Sequence, residues 1–143
     1  MYHKDYIMRM MEMLSEMIAL LLGLIKKGDF KVAAKHLEKA YLDFLKKDAA
    51  FFHAIPLEEL TNKLLSEHHY TNDHLKVLSE LFYAEGELQI ADNKPQAALV
   101  HFEKAMRLFE FTEQENATFS LANQRRHQAL AERIESIKKL PTR

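Results

Sequence analysis

The 143-residue chain is 48% hydrophobic and 29% charged, with a formal net charge of −1 and no cysteine. That composition excludes intrinsic disorder, and the length suits one soluble domain that removes about 68% of its unfolded surface from water. A near-neutral chain offers no overall field to nucleic acid or an anionic membrane, and the lack of cysteine removes disulfides, thiolate chemistry and Cys-type zinc, so a cytoplasmic home is expected.

Only three Gly and three Pro punctuate the chain, as long helices with short connections require. The first predicted helix runs from Lys4 to Lys27, with Ile7, Met11, Leu14, Ile18, Leu21 and Ile25 spaced 4, 3, 4, 3, 4 on one face. Met10, Met17 and Leu24 widen that stripe. The apolar run from Met17 to Ile25 is far shorter than the ~20 residues of a membrane span, and its flanks do not read as a secretory signal. Gly28-Asp29 stops this helix, and a second is predicted to about Lys47, closing a hairpin over 4–47. The aromatic stretch Ala49 to His53 leads to Pro56, which opens a short helix over 56–67 with Leu57, Leu60, Leu64 and Leu65 on its apolar side. A loop from His68 to Asp73 ends in good capping residues. The fourth helix then runs to about Ala91, with Val77, Leu81, Ala84, Leu88 and Ala91 inward, and the fifth from Lys94 to Phe111, giving a second hairpin over 73–111. A capping helix over 113–139 ends before Pro141. No segment alternates with period two for the length of a strand, so the class is all-α.

Two stretches 65 residues apart carry the same row. Phe30, Ala33, Leu37, Ala40 and Phe44 step 3, 4, 3, 4, and so do Pro95, Ala98, Phe102, Ala105 and Phe109. Small Ala between Leu and Phe lets a neighbouring helix approach closely. The string resembles the second helix of a tetratricopeptide (TPR) repeat, and Leu78 to Phe109 carries the best match through Phe82, Gly86, Ala98, Phe102 and Ala105. Glu85 and Gln89 depart from that pattern, standing where Leu and Tyr are usual, and Leu21 falls where the first hairpin would place the equivalent of Gly86. The resemblance implies antiparallel helical hairpins in a right-handed TPR-like array of about six helices over 1–143, working as a non-catalytic protein- or peptide-binding module. In length and habit the chain is also similar to small bacterial proteins of unknown function built on such hairpins.

In TPR-like arrays the first helix of each hairpin lines the concave side, so the resemblance puts a partner against Glu80, Tyr83 and Glu87 of the fourth helix and Asn116, Asn123 and Arg126 of the sixth. Residues 73–115 hold nine acidic residues against four basic, and residues 116–143 six basic against two. Two signs of charge across that groove favour a mixed-charge peptide over nucleic acid. The Asn, Lys and Arg set with which some TPR domains grip a terminal carboxylate has no matching positions here.

Six of the seven methionines lie in the first 17 positions. A helix apolar nearly all round is either central in the fold or covered by another chain. The alternative reading is therefore a homodimer with the first helix as its seam, at Met10, Met13 and Met17. Lys31, Lys35 and Lys39 read as a solvated face. His68, His69 and His74 share a loop with Glu67 and Asp73, but no HExxH or ExxH spacing accompanies them, and no metal or cofactor is expected. No phosphate loop, nucleophile elbow or catalytic pairing is present, and no enzyme activity is expected. Glu132 and Glu135 interrupt the basic residues of the last helix, which argues against a nucleic-acid reader.

Overall fold

Every regular element among the described residues, 2–115 and 120–141 of the computed structural model, is a helix. In chain order they are α1 (Tyr2–Lys27), α2 (Phe30–Leu45), α3 (Ala49–His53), α4 (Leu60–Asn62), α5 (Asn72–Ala91), α6 (Pro95–Glu115) and α7 (Leu121–Lys138).

The internal repeat extends to the turns. Gly28, at φ +86°, donates its N–H to the Ile25 carbonyl at 3.0 Å, while Asp29 N–H reaches Leu24 at 3.0 Å. This pair of bonds satisfies the last carbonyls of α1 and requires a left-handed residue, a conformation open to glycine without strain. The Asp29 carbonyl then accepts from Ala33 N at 2.9 Å to start α2. After α5 the same turn is rebuilt with other side chains. Asn93 takes the left-handed position at φ 62°, its N–H meets Ile90 at 3.1 Å, and Lys94 N–H meets Gln89 at 2.8 Å. The Lys94 carbonyl accepts from Ala98 N at 3.1 Å to start α6.

Three predicted boundaries are corrected. The aromatic stretch before Pro56 is a helix, because Asp48 caps it by accepting from Phe51 N at 3.0 Å and Ala49 N donates to Glu38 at 2.8 Å. The short helix expected over 56–67 is composite: a 3-10 turn (Leu57–Glu59), α4, and a π turn (Lys63–Glu67). This irregular path leaves Leu60 and Leu64 fully buried, and it ends at His69, whose φ is 59°. The fifth helix also runs on to Glu115, and α7 starts only at Leu121, where Ser120 accepts from Asn123 N.

The helix with apolar residues on nearly every side that occupies the centre is α5, packed on α1, α2 and α6. Along α5 and α6, rising positions meet falling ones: Ser79 Oγ donates to the Ala105 carbonyl at 2.8 Å, Gly86 faces Phe102, and Gln89 Oε1 lies 2.8 Å from His101 Nδ1. The repeated rows supply the core, with Ala33, Leu37, Ala40, Ala98, Phe102 and Ala105 all buried. Val77, Leu81, Ala84 and Leu88 are buried as predicted, but Ala91 is exposed at the end of α5. The first helix lies at the edge. Leu14, Ile18 and Leu21 enter the core against α2 and α5, whereas Tyr6, Met8, Met13 and Leu20 remain exposed. α7 packs on α6 and buries only Leu130 and Ile137 fully.

Candidate functional site

A cleft of about 420 Å³ opens where α1, α5, α6 and α7 converge. Ile7, Met11 and Leu14 of α1 and Phe109 of α6 give it apolar walls. Asp73, Lys76 and Glu80, at i, i+3 and i+7 on α5, bring charge to one side, and Asn123 and Arg126 of α7 face them.

Beside the cleft, α5 and α7 are joined by a ladder of side chains. Arg126 Nε donates to Glu80 Oε2 at 2.8 Å, and its NH2 group donates to Oε1 at 3.1 Å, a two-point clamp on the carboxylate. The Arg126 guanidinium also stacks on Tyr83, 3.9 Å from the ring centroid. Burial works against the Arg126 cation, but the Glu80 hydrogen bonds and charge outweigh it and hold its pKa above the ordinary value. One heptad on, Arg133 NH2 donates to Glu87 Oε1 at 3.0 Å, with Nε 2.7 Å from Oε2. Tyr83 OH lies 3.5 Å from Glu87 Oε1, and burial followed by the Glu87 charge raises the phenol pKa.

The structure thus brings together four of the six residues named for a partner, Glu80, Tyr83, Glu87 and Arg126, and pairs them with one another. Of the five among the described residues, Glu80, Arg126 and Asn123 line the cleft. Asn123 Nδ2 is engaged too, donating to Glu113 Oε2 at 2.9 Å. Asn116 lies outside the described residues. Lys76 makes no ion pair among the described residues. It went unnamed because a single lysine on an amphipathic helix reads as solvated. Of the seam candidates, Met10 is buried inside the chain, Met17 half-buried and Met13 exposed.

A second polar group, absent from the sequence reading, sits inside the fold. Glu85 Oε1 accepts from Tyr41 OH at 3.2 Å and from His53 Nε2 at 3.1 Å. The His53 and His101 rings lie 4.4 Å apart, and Lys104 Nζ donates to the His53 carbonyl at 2.9 Å. Desolvation, followed by the nearby His53, lowers His101 to about 4, so this ring is neutral at pH 7. Burial and then Glu85 hold the Tyr41 phenol well above its usual value, and burial lowers Lys104. The signal for this network was present in the sequence. Glu85 and Gln89, the two departures from the repeat pattern, stand four apart on α5 and reach His53 and His101.

His74 belongs to neither group, because its Nδ1 accepts from Thr71 N at 3.0 Å in the capping box of α5. Among the described residues, no three His, Asp or Glu side chains converge as metal ligands, and no helix is long and apolar enough to cross a membrane. No family model, curated protein or solved structure matches the chain.

Proposed function

We propose that the chain is a non-catalytic binding module of antiparallel helical hairpins in a right-handed TPR-like array, which holds a mixed-charge peptide segment of a partner protein in the cleft between α1, α5 and α7. The cleft carries this reading. Its walls come from the opening helices of the α1–α2 and α5–α6 hairpins and from the helix that follows them, where such arrays hold ligands, together with Phe109, Thr112 and Glu113 of α6. Two turns of one geometry 65 residues apart and the buried alanine rows support the repeat. The apolar walls would take a hydrophobic side chain, and Lys76 an acidic one, as in sites that combine apolar area with a few placed charges. The strongly perturbed titratable groups, Tyr41 and His101, lie in the separate buried network and not in the cleft, which favours binding over catalysis.

The test is selection of a displayed peptide library on the immobilised chain, followed by hydrogen exchange on the complex. Enriched peptides should carry an acidic residue beside an apolar one and protect α1, α5 and α7. Lys76→Glu should weaken them roughly tenfold with little change in melting temperature. Protection confined to other helices, or undiminished binding by Lys76→Glu, would overturn the assignment of the cleft.

A further inference from the structure

α1 carries two apolar stripes; the fold covers one, and of the other it covers Met10 and, in part, Met17 and Leu24. Ile7, Met11, Leu14, Ile18, Leu21 and Ile25 face the chain's own core. Tyr6, Met10, Met13, Met17, Leu20 and Leu24 repeat the same 4, 3, 4, 3, 4 spacing one residue earlier, turned about 100° around the helix. Tyr6, Met13 and Leu20, seven apart, are 64%, 58% and 47% exposed. A seven-residue apolar repeat along an open helix face is the pattern of a seam between helices. The stripe lies between the core row and a polar face of Asp5, Arg9, Glu12 and Glu16, the flank of charge that accompanies such a seam.

We infer that this stripe is the contact of a symmetric dimer, in which the α1 helices of two copies pair antiparallel and cross near Met13. Charge selects the occupant and the direction. Arg9 and Glu16 lie seven apart along the flank of the stripe away from the core. In an antiparallel pair crossing near Met13, Arg9 of each copy comes beside Glu16 of the other, and two-fold symmetry makes the contact twice. A register shifted by one heptad would move the crossing to about Glu16 and set Glu16 beside its own counterpart.

The stripe from Tyr6 to Leu24 is about 27 Å long. A free helix of that length is marginal as a coiled coil, but α1 is already held by α2 and α5, so little ordering entropy remains to be lost on pairing.

Sedimentation equilibrium on the whole chain tests this directly. The wild type should show twice 16.8 kDa at roughly 100 μM. Met13→Glu, at the crossing point and already exposed, should give a monomer with an unchanged helical spectrum. Arg9→Glu should weaken the dimer roughly tenfold, and Arg9→Glu with Glu16→Arg should restore it, because the exchanged charges still meet. A monomeric wild type, or a dimer indifferent to Met13→Glu, would overturn the seam. A dimer broken by Met13→Glu but indifferent to the charge variants would overturn the antiparallel register.

Discussion

Gly86 shows how much a single missing side chain can set. A Cβ built there would stand 2.5 to 2.7 Å from three ring atoms of Phe102, a fully buried side chain that would have to shift. The positions 65 residues earlier hold Leu21 and Leu37, both buried. Gly86→Ala gains up to about 1 kcal/mol of helix propensity but overpacks the contact by ~1–3 kcal/mol, so the thermal midpoint should fall. Adding Phe102→Leu should recover part of the loss, and a midpoint that rises in Gly86→Ala alone would contradict the close approach. His101 makes a different statement, about pH. Its pKa is about 4 in the fold, and an unfolded histidine titrates near 6.5, so between these values the unfolded chain binds more protons. Its stabilising contribution is complete above pH 6.5 and drains away as pH falls towards 4, with about 2 kcal/mol gone by pH 5. His53 and Lys104 oppose a charge on the ring, while Glu85 favours it. His101→Gln retains a donor for Gln89 and should show a shallower loss of melting temperature between pH 7 and 5 than the wild type. Equal slopes would mean that His101 is charged in the fold.

At the level of helices, what the sequence disclosed depended on how local the cause was. The ends of α1 and α5 follow from Gly28 and Asn93, and the inward rows of α2 and α6 from their 3/4 spacing, all within a turn or two of the residue concerned. α3 was missed because Ala-Ala-Phe-Phe-His is too short to show a period. The stretch from Leu57 to Glu67 was read as a plain helix because its change of winding follows from the need to bury both Leu60 and Leu64. The apolar surface of α1 reads as either central in the fold or covered by another chain, and within the chain α1 lies at the edge. Periodicity measures how much surface seeks cover, however, and not how many neighbours arrive to provide it. The same limit applies to the site. Glu80, Tyr83, Glu87 and Arg126 could be placed on facing helices from helical spacing together with the repeat resemblance, but not their mutual pairing, which depends on the angle at which α7 meets α5. Glu85 and Gln89 were visible as misfits, but their meaning came only with His53 and His101, brought near by a helix the sequence did not announce.

For the molecule as a whole, burial is uneven among the helices. α5 is enclosed by α1, α2 and α6, while α7 leans on α6 and is tied to α5 by the two arginine–glutamate steps. A helix docked mainly on one neighbour opens before an enclosed one, and hydrogen exchange reports that order. Amides of α5 and α6 should exchange only through global unfolding, and those of α7 sooner. Removing both steps with Arg126→Ala and Arg133→Ala would leave the Glu80 and Glu87 carboxylates, about three-quarters or more buried, without their cations. Solvent screening limits the loss at each, and together they should cost about 1–3 kcal/mol. This loss should appear as at least tenfold faster exchange in α7 with α5 unchanged, because the change acts on the docking of one helix and not on the core. Raising the salt to about 1 M should move the wild type part of the way in the same direction. If α7 exchanges as slowly as α5 in both proteins, the last helix is part of one cooperative unit and the ladder does not control its docking.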